Sequence, residues 1–185
     1  MNPTSITTLL FELGQLRRIK HEGLRLAGIE YPISVAEHSL RAAQIGYFLA
    51  KMEGLDPKTI TTMLVFHDMG ECRTGDVHKV AKRYVKKDEL QAVKDQLEPL
   101  EEEELLDLWQ QQETASTPEG IVAQDADLLE AAFTAKEYVE KGYERMHNWM
   151  KNVANYIKTD SAKQLIEELQ KTHSTDWWKD LKKLD

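Results

Sequence analysis

The dipeptide His67-Asp68 closes an apolar run, Thr62-Met63-Leu64-Val65-Phe66, and continues into Met69-Gly70-Glu71. An imidazole beside a carboxylate at the end of a buried helix offers two metal-type donors from neighbouring positions. His67 and Glu71 are four apart and Asp68 and Glu71 three apart, so one helical turn gathers both donors and a third acid around one point. Another imidazole, His38, lies upstream in Val35-Ala36-Glu37-His38-Ser39, and two acids lie downstream in Gln124-Asp125-Ala126-Asp127-Leu128-Leu129. Two imidazoles and two carboxylates suit one borderline or moderately hard divalent ion per chain: Mn, Co, Fe or Zn, or Mg with water completing its sphere. Open positions on such an ion take a substrate oxygen and a water, which loses a proton near neutral pH. Glu71 then reads as an acid–base or supporting group rather than a direct ligand. Asp125 and Asp127 are two apart and point about 200° apart on a helix, so only one readily faces the site. Asp125 follows Ile121 by four, on an apolar face, and the wheel alone does not choose between them.

Helical periodicity supplies the elements that must hold these groups. Ile6, Leu9, Leu10, Leu13 and Leu16 recur at spacings of three and four, with Thr4 and Ser5 as capping residues. Gly23 to Pro32 reads as a connection. A second helix follows, with Val35, Ala42, Ile45, Leu49 and Met52 facing inward. Asp56-Pro57 marks a restart, a cap followed by proline in the first turn, and this helix runs to about Glu71. Arg73-Thr74-Gly75-Asp76 should be a loop. A polar helix begins at Lys86-Lys87-Asp88-Glu89, is interrupted at Pro99 and continues through Leu105, Leu106 and Trp109. Thr117-Pro118 opens a helix towards Lys141, and helical stretches fill Tyr143 to Ile157 and Ser161 to Lys171. Trp177-Trp178 form a short amphipathic tail, expected to dock on the protein's own helices rather than to serve as a partner surface. No alternating strand pattern, repeat or low-complexity linker interrupts the 185 residues. The expected fold class is all-α: six to eight helices in one domain over residues 1–185, a metal-site core at about 9–140 and C-terminal helices from 143 to 185 packed on it.

A net charge of −8 excludes tight binding to a nucleic-acid polymer, which draws on many Lys and Arg contacts. One cysteine, Cys72, rules out an internal disulfide and fits a reducing cytoplasm. Neither a secretory signal nor a membrane-length apolar stretch is evident.

The segments Ser34-Val35-Ala36-Glu37-His38-Ser39-Leu40, Phe66-His67-Asp68-Met69-Gly70-Glu71-Cys72-Arg73-Thr74-Gly75-Asp76 and Ala126-Asp127-Leu128-Leu129 stand in one order. Together they resemble the HD-domain metal-dependent phosphohydrolases, in particular the branch containing the 5'-deoxynucleotidases. The resemblance implies that His38, His67, Asp68 and Asp127 are the metal ligands, and by analogy it prefers Asp127 to Asp125. It implies acid–base or substrate work for Glu71, a place beside the substrate for Asp76, and a phosphate-orienting role for Arg18, whose guanidinium fork matches phosphate. The resemblance also implies that Ile19, Val77, His78 and Lys79 approach the sugar and base, where one bacterial subgroup has an aromatic residue and a proline-containing turn. The implied activity is hydrolysis of (deoxy)ribonucleoside 5'-monophosphates by metal-activated water, in a two-fold homodimer.

Other readings have distinct signatures. A di-iron oxygenase on this fold needs extra histidines between His-Asp and the final Asp, and only His78 lies there. A triphosphohydrolase or cyclic phosphodiesterase calls for a larger basic cluster than Arg17, Arg18 and Lys79. A non-catalytic nucleotide- or metal-binding module would be expected to have lost ligand positions, and here all are filled. His21, His147 and His173 have no partner at ligand spacing and read as structural or surface residues. Cys72 reads as a buried filler.

Overall fold

A computed structural model describes residues 2–182. Its helices are α1 (Pro3–Leu13), α2 (Glu22–Leu26), α3 (Val35–Glu53), α4 (Pro57–Phe66), α5 (Glu71–Thr74), α6 (Glu89–Leu97), α7 (Glu103–Thr114), α8 (Pro118–Glu140), α9 (His147–Tyr156), α10 (Asp160–Lys171) and α11 (Asp176–Lys179). Eight of the eleven have nine residues or more, which agrees with the expected all-α class, and no strand occurs among the described residues. Residues 183–185, which the expected C-terminal region includes, lie outside the described residues. Among the described residues no helix is long and apolar enough to cross a membrane.

Local chemistry sets the helix ends that matter for the site. Ser34 and Glu37 form a reciprocal capping box that starts α3 four residues before His38, and Gly54, at φ 71°, ends it. Asp56 accepts hydrogen bonds from the amides of Lys58 and Thr59 and, with Pro57 behind it, starts α4. Thr117 caps α8 through the Gly120 amide at 3.1 Å. The first helix begins earlier than expected: Asn2 is its cap, accepting from the Thr4 amide at 2.9 Å, and Pro3 occupies the first turn.

Helix α3 packs chiefly on α4 and α8, and α8 also on α9. A Cβ at Gly46 would sit 2.2 Å from the Leu64 Cδ1, so glycine lets α3 approach α4 closely. The larger core joins α3, α4, α8, α9 and α10 around Leu49, Ile60, Leu64, Leu129 and Met146. A smaller one joins α1, α6 and α7 around Leu9, Met69, Val93, Leu97 and Trp109.

Several sequence expectations need correction. The connection from Gly23 to Pro32 contains most of α2. Met52 and Leu10 are exposed because no element among the described residues covers their faces, and Trp177, expected to dock on the protein's own helices, is exposed as well. The helix expected to reach Glu71 stops at Phe66, and residues 67–70 form tight turns before α5. The His67 carbonyl accepts the Trp109 indole N–H at 2.7 Å, and the Glu71 amide donates instead to the Asp68 carbonyl at 2.9 Å. Arg73 and Thr74 belong to α5, and the loop starts at Gly75, φ 70°.

Candidate metal centre

Three helices deliver the donor groups. His38 comes from the second turn of α3, His67 and Asp68 from the break after α4, and Asp127 from the middle of α8. The His38 Nε2 lies 2.9 Å from Asp127 Oδ1 and 3.3 Å from His67 Nε2. Asp68 Oδ2 lies 3.2 Å from His67 Nε2 and 3.9 Å from His38 Nε2, and His67 Nε2 lies 3.8 Å from Asp127 Oδ1. His38, His67 and Asp127 form a compact group of metal-type donors, and Asp68 borders it.

The outer nitrogens of both imidazoles are committed. His38 Nδ1 lies 2.5 Å from Glu130 Oε2, and His67 Nδ1 lies 2.8 Å from the Leu64 carbonyl. These oxygens only accept, so each Nδ1 carries its hydrogen and each Nε2 faces the same point, donating to the carboxylates when protonated and offering a lone pair to an ion once deprotonated. Once deprotonated, the two Nε2 atoms would set lone pairs 3.3 Å apart, which repel unless a cation lies between them. Burial disfavours charge on both rings, yet hydrogen bonds to Asp127 and Glu130 raise the His38 pKa well above its ordinary value. For His67, burial is outweighed chiefly by Asp68 and Asp127, and its pKa is pushed up to about 9. Burial works against the ionised Asp127 as well, but the two imidazoles hold it far below the usual carboxylate range. The carboxylates that hold protons on the imidazoles would equally hold a divalent ion, so protons and metal compete for the point. Metal–ligand bonds of about 2.0–2.2 Å place neighbouring ligands about 3.0–3.6 Å apart. The observed separations bracket that span, so these residues fit the group.

Glu130, which periodicity did not single out, anchors this arrangement. It is 2% exposed, and its other oxygen accepts from Arg41 Nη2 at 2.8 Å and from the Thr134 hydroxyl at 2.7 Å. Its one legible signal is an acid within the apolar run Leu128-Leu129-Glu130-Ala131-Ala132. Outer hydrogen-bond partners of this kind fix ring orientation. Glu130→Gln is therefore expected to weaken divalent-cation binding by about 10–100-fold, measured by calorimetric titration with Mn or Co. Unchanged affinity would strip Glu130 of that task.

Glu71 is buried next to the donors. Burial, followed by the charges of Asp68 and Asp76, pushes its carboxyl up to about 8. Its ion-pair partner is Lys87, whose Nζ lies 3.4 Å from Glu71 Oε1. Arg73 pairs with Glu12, at 2.6 Å. The Asp76 carboxylate accepts the Glu22 amide at 2.6 Å and lies 3.8 Å from His21 Nδ1. The His21 ring sits 4.6 Å from that of His38, so this histidine, expected at the surface or in a structural role, borders the centre. Arg18 is exposed and forms no ion pair among the described residues. The Ile19 carbonyl accepts the Val35 amide at 3.0 Å, and Val77 is partly buried. His78 Nδ1 accepts the Ala81 amide at 3.1 Å, and Lys79 Nζ lies 5.5 Å from the Tyr156 ring centre. Neither His78 nor Lys79 contacts the donors among the described residues. Asp125 points away, fully buried, and accepts the amides of Lys158 and Thr159.

An all-helical unit in which a His-Asp pair meets a histidine and an aspartate from two other helices is the architecture of a helical metallohydrolase. Residues 13–170 match the family described as HD domain, and the chain belongs to that family. It is 31% identical over 151 residues to the 5'-deoxynucleotidase HDDC2 of Dictyostelium discoideum, covering 75% of this chain and 79% of the relative. It is 27% identical over 180 residues to the human protein of the same name, covering 93% and 88% respectively. A conserved hypothetical protein from Pyrococcus furiosus has a similar structure, with a TM-score of 0.76 and 28% identity over 90% of this chain and 99% of that one.

Proposed function

We propose that this protein is a metal-dependent phosphohydrolase that removes the 5'-phosphate from deoxyribonucleoside 5'-monophosphates. The observation that carries the reading is the pair of imidazole Nε2 atoms 3.3 Å apart, flanked by Asp68 and Asp127, with the buried acid Glu71 at the start of the next helix. His38, His67, Asp68 and Asp127 would hold the ion. Bound there, a divalent ion activates water and neutralises phosphoryl charge.

The remaining steps belong to the side chains. Glu71, whose environment favours its protonated form near neutral pH, is placed to pass a proton to the departing 5'-oxygen. Lys87 holds that carboxyl in place. Asp76, fixed by the Glu22 amide, is an acceptor for a sugar hydroxyl. Arg18 has a guanidinium available for the phosphate. The names of the deoxynucleotidase relatives support this substrate class.

The test is a phosphate-release screen over ribo- and deoxyribonucleoside mono-, di- and triphosphates, each with Mn, Co, Mg and Zn. Deoxynucleoside monophosphates should be turned over fastest, and chelation should stop the reaction. Release from triphosphates alone, or undiminished release in excess chelator, would overturn the proposal.

A further inference from the structure

The tight turns at residues 67–70 carry two of the four candidate donors, His67 and Asp68, on backbone that has left the α-helix. A helix end leaves carbonyls without intrahelical partners. Side chains from two other helices reach the carbonyls here. The Trp109 indole of α7 donates to the His67 carbonyl at 2.7 Å, and the Gln96 amide of α6 donates to the Met69 carbonyl at 3.0 Å. Between them the Asp68 carbonyl accepts the Glu71 amide at 2.9 Å. Each peptide unit is a rigid plane. Holding the His67 carbonyl therefore holds the plane that joins the two donors, and the next two bonds hold the planes that follow it.

The supports are deep in the protein. Gln96 is 2% exposed and Trp109 4%. Trp109 packs with Leu9, Met69, Val93 and Leu97 in the smaller apolar core. Gln96 Nε2 also donates to Glu12 Oε1 of α1 at 2.8 Å, and Glu12 accepts in turn from Arg73 of α5. Helices α1, α6 and α7 supply none of the four donors, yet each sends a side chain into this network. Burying a glutamine costs stability unless its amide is bonded, and an apolar residue would fill the same space without that cost. What the bonded amide adds is direction: a hydrogen bond fixes the angle of the backbone it meets, which packing alone does not.

We propose that Trp109 and Gln96 are positioning residues of the metal centre, which aim the His67 imidazole and the Asp68 carboxylate at one ion by holding the backbone that carries them. This rests on His67 and Asp68 being donors to that ion.

The test uses the full-length protein freed of metal by chelation. Trp109→Phe keeps an aromatic ring and removes the N–H, and Gln96→Met keeps the length of the side chain and removes the amide. Leu100→Ala opens the same apolar core without removing either hydrogen bond, and is the reference for a purely structural change. Mn binding is measured by calorimetric titration below the melting temperature of each variant, and the visible absorption of the Co-loaded protein reports ligand geometry. Trp109→Phe and Gln96→Met should each bind Mn about ten-fold more weakly and shift the Co spectrum. Leu100→Ala, though it melts earlier, should match the wild type in both. Should one of the two variants fail to fold, the other decides. Wild-type affinity and spectrum in the variants, or equal losses in Leu100→Ala, overturn the positioning role. A wild type that binds neither Mn nor Co overturns the metal-centre reading on which that role rests.

Discussion

Replacing Asp127 by alanine is expected to lower phosphate release by about a thousand-fold or more while barely moving the melting temperature. A metal ion contributes several kcal/mol of charge stabilisation in a phosphoryl-transfer transition state, and about 4 kcal/mol corresponds to that factor. Asp127 is the donor nearest His38, at 2.9 Å, and its loss removes an anion from beside two raised imidazoles. Its polar contacts are confined to the imidazoles of the centre and it belongs to neither apolar cluster, so the fold keeps its core. His67→Ala and Asp68→Ala should lose activity similarly, and calorimetric titration should show weakened cation binding in all three. Turnover of Asp127→Ala within ten-fold of the wild type would remove that residue from the centre.

Asp125→Ala is expected to do the reverse: to destabilise the protein by about 3–5 kcal/mol with the cation site intact in what remains folded. The Asp125 carboxylate is wholly buried and accepts four hydrogen bonds, from the Lys158 amide at 3.0 and 3.1 Å and from the Thr159 amide and hydroxyl, both at 2.7 Å. Thr159 is the cap of α10, so one side chain on α8 secures the junction of α9 and α10. Alanine leaves the donors in a dry interior, where each costs about 1–3 kcal/mol. For a chain of this size the midpoint should fall by about 10 °C in a thermal scan followed by circular dichroism. A melting temperature within a degree or two of the wild type would show that the clamp contributes little.

These two aspartates show what a sequence can and cannot disclose. Residue type and spacing isolate His38, His67 and Asp68, because imidazoles and acids inside apolar helices have few other uses. The same logic offers both Asp125 and Asp127. What separates them is the α9–α10 junction, more than thirty residues further on, which takes up the Asp125 carboxylate. Glu130 escaped notice for a related reason: its partner, His38, is 92 positions away. His21 and Lys87 acquire meaning only once Asp76 and Glu71 are beside them. Periodicity located the long helices through their caps and prolines, but it counts apolar residues without knowing which faces acquire neighbours. Leu10 and Met52 fit the stripe and still face solvent.

The segment between α1 and α3 is closed at its base. The His21 amide donates to the Ile33 carbonyl and the Val35 amide to the Ile19 carbonyl, each at 3.0 Å, with an antiparallel bridge between Lys20 and Ser34. This pinch ties the two ends of residues 22–32 together just ahead of the capping box that starts α3, while Leu24 and Ile29 pack into the larger core. Lengthening such a tied-off loop adds little closure entropy. A change of length at its exposed tip, around Glu30 and Tyr31, can therefore be absorbed without shifting the register of His38.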